Sequence, residues 1–431
     1  MDSQTPPHTS PSPSDRRRFL QALAGSLAGG PAMLAPPWFS SLRAQPVGAA
    51  PSDRVRLGLI GVGSRGALLM DHLQQTPGVS VAAICDVYPP HLERALAATG
   101  GKAKGYGDYR ALLDAPDIDA VVIAAPLDLH APMCLAAFSA GKGVFCEKSL
   151  ARTIEDCKAV ARAATASPQV FQIGHQRLFD LRFLTALGHM RAGALGPITQ
   201  IRAYWHRNLS WRRPAPANLD RLINWRLYSD RSAGLMGELG SHHLHVVNWI
   251  LDGPPLSCVG YGSVNYWKDG REVYDNVNLI YRYEGGVSAV YDSLSSNQFH
   301  GMEVQVMGPK GTMELETGRM YWEPSAPPPP APAVAALKTQ LETGQSGPAR
   351  IAAPTWRPEL KSDLKGAPIL ADWDGGDGTA LSLAAFANAV RLGQKTPSMV
   401  DHAYRSGVAA LIGLQAMEEG RQVVWPGDYR V

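Results

Sequence analysis

The 431-residue chain lacks a large net charge, a cysteine framework and a long unbroken apolar run. Lys and Arg number 41 against 38 Asp and Glu, a formal +3, and four of those arginines (Arg16, Arg17, Arg18, Arg43) fall in the first 50 residues. No basic run interleaved with aromatics follows, so the footprint of a nucleic-acid surface is missing. The five cysteines (Cys85, Cys134, Cys146, Cys157, Cys258) are odd in number and embedded in apolar segments, which reads as buried thiols rather than disulfides. The N-terminal apolar stretch is broken by Gly29, Gly30 and Pro31 and makes a poor membrane span. No internal repeat is present. What remains is a chain of ordinary globular composition, long enough for two domains with their own cores.

Residues 1–50 are rich in Ser, Thr and Pro and contain DRRRFLQALAGSLAGGPAMLA. Arg16-Arg17, then Phe19-Leu20 and a mildly apolar stretch, resembles a twin-arginine export signal, with cleavage after either Ala44 or Ala49. The expectation is a periplasmic or otherwise exported protein that crosses the membrane folded.

The most informative segment is VRLGLIGVGSRG at 55–66, a strand-length apolar run ending in glycines and giving way to the helix-like ALLMDHLQQ. Gly61 suits the tight turn, Gly63 the close approach of a pyrophosphate, and Gly66 close packing of helix on strand. Free amides and the helix dipole then face the phosphates. The next strand, VSVAAICD, ends in Asp86, twenty residues after Gly66, where a carboxylate accepts hydrogen bonds from adenosine ribose hydroxyls and repels a 2′-phosphate. NAD is therefore expected over NADP, with Arg65 as a further phosphate contact.

Short apolar strands alternate with helices up to about residue 175, giving an α/β Rossmann domain with a doubly wound parallel sheet over 51–175. Strand carboxyl ends converge in such a sheet, so Gly61, Asp86, Ala125-Pro126 and Glu147-Lys148 are expected at one crevice. From 176 to 431 a helix is followed by β-rich runs, which predicts an α+β substrate-binding domain built on a large, mostly antiparallel open sheet. Residues 323–333 read as a proline-rich loop, because consecutive prolines cannot pair in a sheet, and 377–420 as closing helices.

The residues 55–426 resemble the glucose-fructose oxidoreductase and inositol dehydrogenase family, Gfo/Idh/MocA. The resemblance rests on the glycine turn, AAPLDLH at 124–130, CEKSL at 146–150, GHQR at 174–177 and GLMGELGSHHLHVVNW at 234–249. It implies a cofactor site formed by Gly61, Gly63, Ser64, Arg65, Gly66, Asp86, Ala125, Pro126, His130, Glu147, Lys148 and Gln176. Family members place the lysine of a Glu-Lys-Pro motif beside the substrate hydroxyl and the nicotinamide; the matching residues are Glu147-Lys148-Ser149, with serine replacing proline. Their Asp-x-x-x-His motif, with the histidine as general base, matches Glu238 and His242.

Independently of the resemblance, a four-residue spacing on a helix puts Glu238 and His242 on one face, where a carboxylate can orient an imidazole and raise its basicity. Glu238, His242 and His245 on that face also admit a zinc site, but no cysteine or second histidine motif completes a shell, and no metal is expected. The same helix face equally admits satisfied structural histidines. Arg177, His206, Trp225 and His243 are candidate substrate contacts, with Trp205, Trp211 and Arg226 nearby. Flat aromatic faces beside donors suit sugar rings, and they also suit simple core packing.

The resemblance implies hydride transfer between a sugar, polyol or glycoside carbon and a nicotinamide, and export implies that the nicotinamide stays tightly bound. Two alternatives stand beside it: a redox-neutral glycoside hydrolase that oxidises, eliminates, adds water and reduces, and a non-catalytic nucleotide-bound sensor. The hydrolase needs a further proton carrier, a tyrosine or His206. The resemblance also implies homo-oligomeric assembly through the open sheet of the second domain.

Overall fold

The computed structural model describes residues 54–323 and 366–427 apart from 372, 374 and 397. The export signal and all but the first residue of the proline-rich loop lie outside them.

The first half alternates as β1 (Val55–Ile60), α1 (Ser64–Gln74), β2 (Val79–Cys85), α2 (Pro89–Ala98), β3 (Lys104–Tyr106), α3 (Tyr109–Leu113), β4 (Ala120–Ile123), α4 (His130–Ser139), β5 (Gly143–Cys146), α5 (Ile154–Ala166) and β6 (Phe171–Ile173). The strands form a parallel sheet in the order β3-β2-β1-β4-β5-β6. All four residues of β4 and of β5 are buried, as expected for central strands covered on both faces. The order reverses between β1 and β4, and the carboxyl ends of these strands open the crevice where such sheets bind ligands.

After α6 (Leu181–Arg191) comes a nine-stranded sheet that includes β7 (Gln200–His206), β8 (Ser257–Ser263), β9 (Asn276–Arg282), β10 (Ser288–Leu294), β11 (Met302–Gly308) and β12 (Gly311–Glu314). Its order is β14-β13-β12-β11-β7-β10-β9-β8-β15, where β13 is Arg319–Trp322, β14 Ala367–Pro368 and β15 Val423–Val424. Every pairing is antiparallel except β7 with β10. In β7, Ile201, Ala203 and Trp205 are buried and the residues between them are not, so one face carries the core and the other is open. Against the covered face lie α8 (Ser241–Ile250), preceded by the single turn α7 (Asp220–Ile223), and the long α10 (Ser398–Glu419).

One helix assigned by sequence to the second domain serves the first. The helix α9 (Thr379–Leu392) buries Leu383, Phe386 and Ala389 in one apolar cluster with Leu57 and Leu59 of β1 and Leu69 and Leu73 of α1. Phe386 meets Phe145 with ring centroids 5.6 Å apart, and Gln172 Nε2 donates to the Ser382 carbonyl at 2.8 Å. The parallel sheet has two apolar faces, and the chain returns to cover the second. The five cysteines are all buried and unpaired. Among the described residues no helix is long and apolar enough to cross a membrane.

Candidate active site and cofactor cleft

The glycine turn is built as its chemistry demands. Gly61 has φ +86°, and a Cβ there would lie 2.6 Å from the Ala124 carbonyl oxygen; a Cβ on Gly66 would lie 2.0 Å from the Gly61 carbonyl oxygen. Gly63 is different, because a Cβ on it would touch only the His91 ring, at 3.6 Å. Among the described residues no close packing requires that glycine. The helix α1 that starts here has no side-chain cap and no acid in its first turn, so its leading amides stay available to an anion.

Asp86 completes the cradle by holding the turn from below. One carboxylate oxygen accepts from the Val62 amide at 2.8 Å, the other from the Tyr88 amide at 2.8 Å, and His91 Nδ1 lies 3.5 Å away. Arg65, expected as a phosphate contact, is held by Glu147: its Nε donates to Oε1 at 2.7 Å. Gly174 makes room for that glutamate, since a Cβ there would stand 2.9 Å from the carboxyl carbon. His130 is buried with Nδ1 2.8 Å from the Ser149 carbonyl and Nε2 3.0 Å from the Ala125 carbonyl. It lies between the β4 and β5 strand ends, with one ring nitrogen facing each carbonyl. Gln176 begins a short 3-10 turn, and its Oε1 is buried without a protein partner.

Lys148 follows β5 through a cis peptide to Ser149. Its Nζ donates to the Glu238 carbonyl at 3.1 Å and stands 4.0 Å from Glu238 Oε2. The same carboxylate oxygen accepts from Arg226 Nε at 2.7 Å. Burial pushes the Glu238 carboxyl up, but Lys148 and Arg226 outweigh it and hold the group below its ordinary value. Burial lowers the Lys148 ammonium, against the pull of Glu238 and Glu147.

The expected support of His242 by Glu238 is therefore not what the carboxylate does. Glu238 sits in a π-helical turn, Met236–Gly240, and His242 in the α-helix that follows, so the four-residue spacing does not run along one regular helix. The His242 ring lies against Trp205, centroids 5.6 Å apart, and edge-on to His175 at 6.0 Å. Burial, and then the charges of Lys148 and Arg177, drive its pKa well below 6.5. The imidazole is neutral at pH 7 and presents an unprotonated ring nitrogen.

The helix face does not assemble a metal shell. His245 stacks flat on His175 with centroids 4.2 Å apart, Glu238 is turned to its cations, and no group of three ligand residues converges among the described residues.

Two candidate substrate contacts lie outside the cluster. His243 is fully buried between Trp205 and Tyr291, with Nε2 3.4 Å from Glu316 Oε1, because a helix turns its next residue about 100° away from His242. His206 lies on the open face of the nine-stranded sheet, bonded to Asp292 and beside Tyr204 and His300, because strand neighbours alternate. Trp225 is half-buried under the Arg226 guanidinium, 4.3 Å from its ring. Arg177 is buried over Trp205, with Nε donating to Glu316 Oε1 at 2.7 Å. Burial pushes Glu316 up, yet Arg177 and His243 hold it at about 2.

Two members of this network carry no motif: Glu316, from the loop after β12, and Ser406, from α10. His175 stands inside GHQR, and its Nε2 lies 2.7 Å from Ser406 Oγ.

Residues 55–175 match the model of an oxidoreductase family with an NAD-binding Rossmann fold, and 183–314 match the GFO/IDH/MocA C-terminal domain. Inositol 2-dehydrogenase of Salmonella typhimurium is 34% identical over 276 residues, 61% of this chain and 74% of that protein. The chain belongs to the Gfo/Idh/MocA oxidoreductase family. A glycosyl hydrolase family 109 protein of Stenotrophomonas maltophilia is 32% identical over 204 residues, 45% of this chain and 42% of its own length. In fold, the chain matches levoglucosan dehydrogenase in complex with NADH and levoglucosan at a TM-score of 0.65 and 20% identity, over 86% of this chain and all of that one. The protein is an NAD-binding oxidoreductase, and the uncapped α1 terminus, the open space at Gly63 and Asp86 beneath the turn fit the dinucleotide.

Proposed function

We propose that the enzyme oxidises a hydroxyl-bearing carbon of a sugar, polyol or glycoside, using an NAD that stays bound. The observation that carries this reading is the reach of Lys148, at the end of β5, to the Glu238 carbonyl one turn before His242, a buried imidazole whose pKa lies well below 6.5. His242 takes the hydroxyl proton on its free lone pair, and Lys148 donates a hydrogen bond to the same oxygen, stabilising the charge that develops there. Glu238 and Arg226 fix the lysine in place. The nicotinamide, when bound, supplies the hydride acceptor. Asp86 keeps negative charge beside the turn, which favours NAD over NADP. Inositol 2-dehydrogenase and levoglucosan dehydrogenase among the relatives support the substrate class.

Export through the twin-arginine signal is part of the same proposal, because a cofactor loaded before export must then be reoxidised in place. The outer sheet face presents Val259, Tyr261 and Ile280, which suits contact with a second copy. The similarity to a family 109 glycosyl hydrolase favours one second reading, a redox-neutral glycoside cleavage. His206 does not supply the extra proton carrier for it, being on the far face of the sheet.

The test begins with the purified protein, denatured and assayed for released NAD(H) and NADP(H) by mass spectrometry. A panel of polyols, sugars and aryl glycosides is then followed for NADH formation, for reduction of a second sugar and for aglycone release. Net hydride transfer supports the main reading, and aglycone release without net reduction supports the second. No turnover in any arm returns the protein to a nucleotide-bound sensor.

A further inference from the structure

We propose that Arg213, carried by the second domain, is a clamp on the pyrophosphate of the bound dinucleotide. Its Nη2 donates to Ser64 Oγ at 3.1 Å, across 149 residues of sequence, and Ser64 is the first residue of α1. A guanidinium from one domain thus reaches the uncapped helix terminus and the glycine turn of the other.

The other arginines near the turn are already committed. Arg65 is paired with Glu147, Arg94 donates to the Val62 carbonyl at 3.2 Å, and Arg212 is paired with Asp220 at 2.9 Å. Among the described residues Arg213 has no carboxylate partner, and the one hydrogen bond of its side chain is to a neutral hydroxyl. The remaining donors of its fork are free for an anion, and a planar guanidinium matches phosphate oxygens two at a time.

The backbone beneath the side chain is built to hold it there. The Arg213 amide donates to Asn224 Oδ1 at 2.7 Å, and Asn224 Nδ2 donates back to the Arg213 carbonyl at 2.9 Å. Asn224 is buried, and a further bond to Asp220 at 2.9 Å ties it to α7. An exposed arginine anchored by a buried asparagine is positioned without being packed. With the dinucleotide in place, Arg213 links the second domain to the phosphates, and loss of the nucleotide requires this loop to let go.

The inference rests on the nucleotide binding established above, and the experiment separates the two. Binding of ADP-ribose and of adenosine to the nucleotide-free enzyme is measured by calorimetry for the parent, Arg213→Ala and Arg213→Lys. NADH dissociation is measured by stopped-flow fluorescence against excess ADP-ribose. Arg213→Ala is expected to weaken ADP-ribose about 10- to 100-fold and to speed NADH release by a similar factor, with adenosine affinity unchanged. Arg213→Lys, which keeps the charge and loses the fork, falls between, and added salt weakens the parent more than the alanine variant. Equal ADP-ribose affinity in parent and Arg213→Ala overturns the clamp, as does an equal loss for adenosine, which marks a merely structural role. Failure of the parent to bind ADP-ribose overturns the nucleotide site itself.

Discussion

Glu238 Oε2 accepts a 2.7 Å hydrogen bond from Arg226 Nε, and the two together set the electrostatics of Lys148, 4.0 Å from the same oxygen. The glutamate raises the lysine pKa, the arginine lowers it, and burial lowers it most. Substituting the two partners therefore has opposite consequences. Glu238→Gln lets the Lys148 pKa fall further, so the alkaline limb of the kcat/KM profile moves to lower pH. Arg226→Gln moves that limb to higher pH. Profiles of both variants against the parent check this, and shifts of the same sign in both remove Lys148 as the group behind the limb.

His242 predicts the opposite end of the profile. Its pKa lies well below 6.5, so the base form persists as pH falls and the acid limb of kcat/KM belongs below the range of an ordinary histidine. His242→Ala is expected to lower kcat by about 10²- to 10⁴-fold and to abolish that limb. Steady-state kinetics from pH 4.5 to 9 (roughly the range a folded enzyme tolerates) measure both. A variant that retains the parental rate disposes of the assignment.

The parallel half of the molecule is legible in the sequence because each signal there is local. A short apolar run, a glycine turn and an acid at the next strand end are neighbours in the chain and in space. The second half depends on distant pairings. Nothing in the pattern of β7 announces that it lies between β10 and β11, or that Glu316 returns to meet Arg177. The π turn at 236–240 changes which groups a four-residue spacing brings together, so the fate of Glu238 was not readable from it. The position of His206 was readable. Strand alternation separates it from Trp205, and grouping both as one aromatic patch ignores the period of two. The docking of α9 on the first sheet answers the need of a parallel sheet for cover on both faces, a requirement of the whole fold rather than of the helix.

The buried pair of Arg177 and Glu316 predicts a stability effect with a definite pH dependence. The Glu316 carboxyl titrates at about 2 in the folded protein against 4.5 as its ordinary value. A depressed folded pKa contributes stability that is present above the unfolded value and lost as pH falls through the folded one. Glu316→Gln leaves a buried guanidinium without its countercharge and is expected to cost about 3–5 kcal/mol near neutrality. The difference from the parent narrows as pH drops from 4.5 toward 2. Denaturant unfolding at several pH values measures it, and a pH-independent difference assigns the loss to packing.

The three glycines of the turn have separable roles, and alanine at each position distinguishes them. At Gly66 a Cβ collides with the Gly61 carbonyl oxygen at 2.0 Å, and at Gly61 it meets both backbone and a positive φ of +86°. Both substitutions strain the fold, and lowered melting temperatures are expected for each. At Gly63 the added methyl finds only ordinary contact with His91, so stability should stay within about 0.5 kcal/mol of the parent. The space that methyl enters is where the pyrophosphate approaches, and NAD affinity should fall by about tenfold or more. Thermal unfolding without nucleotide and calorimetric titration with NAD separate the two effects. If Gly63→Ala binds NAD as the parent does, the dinucleotide does not approach the turn at that residue, and the open space there has another use.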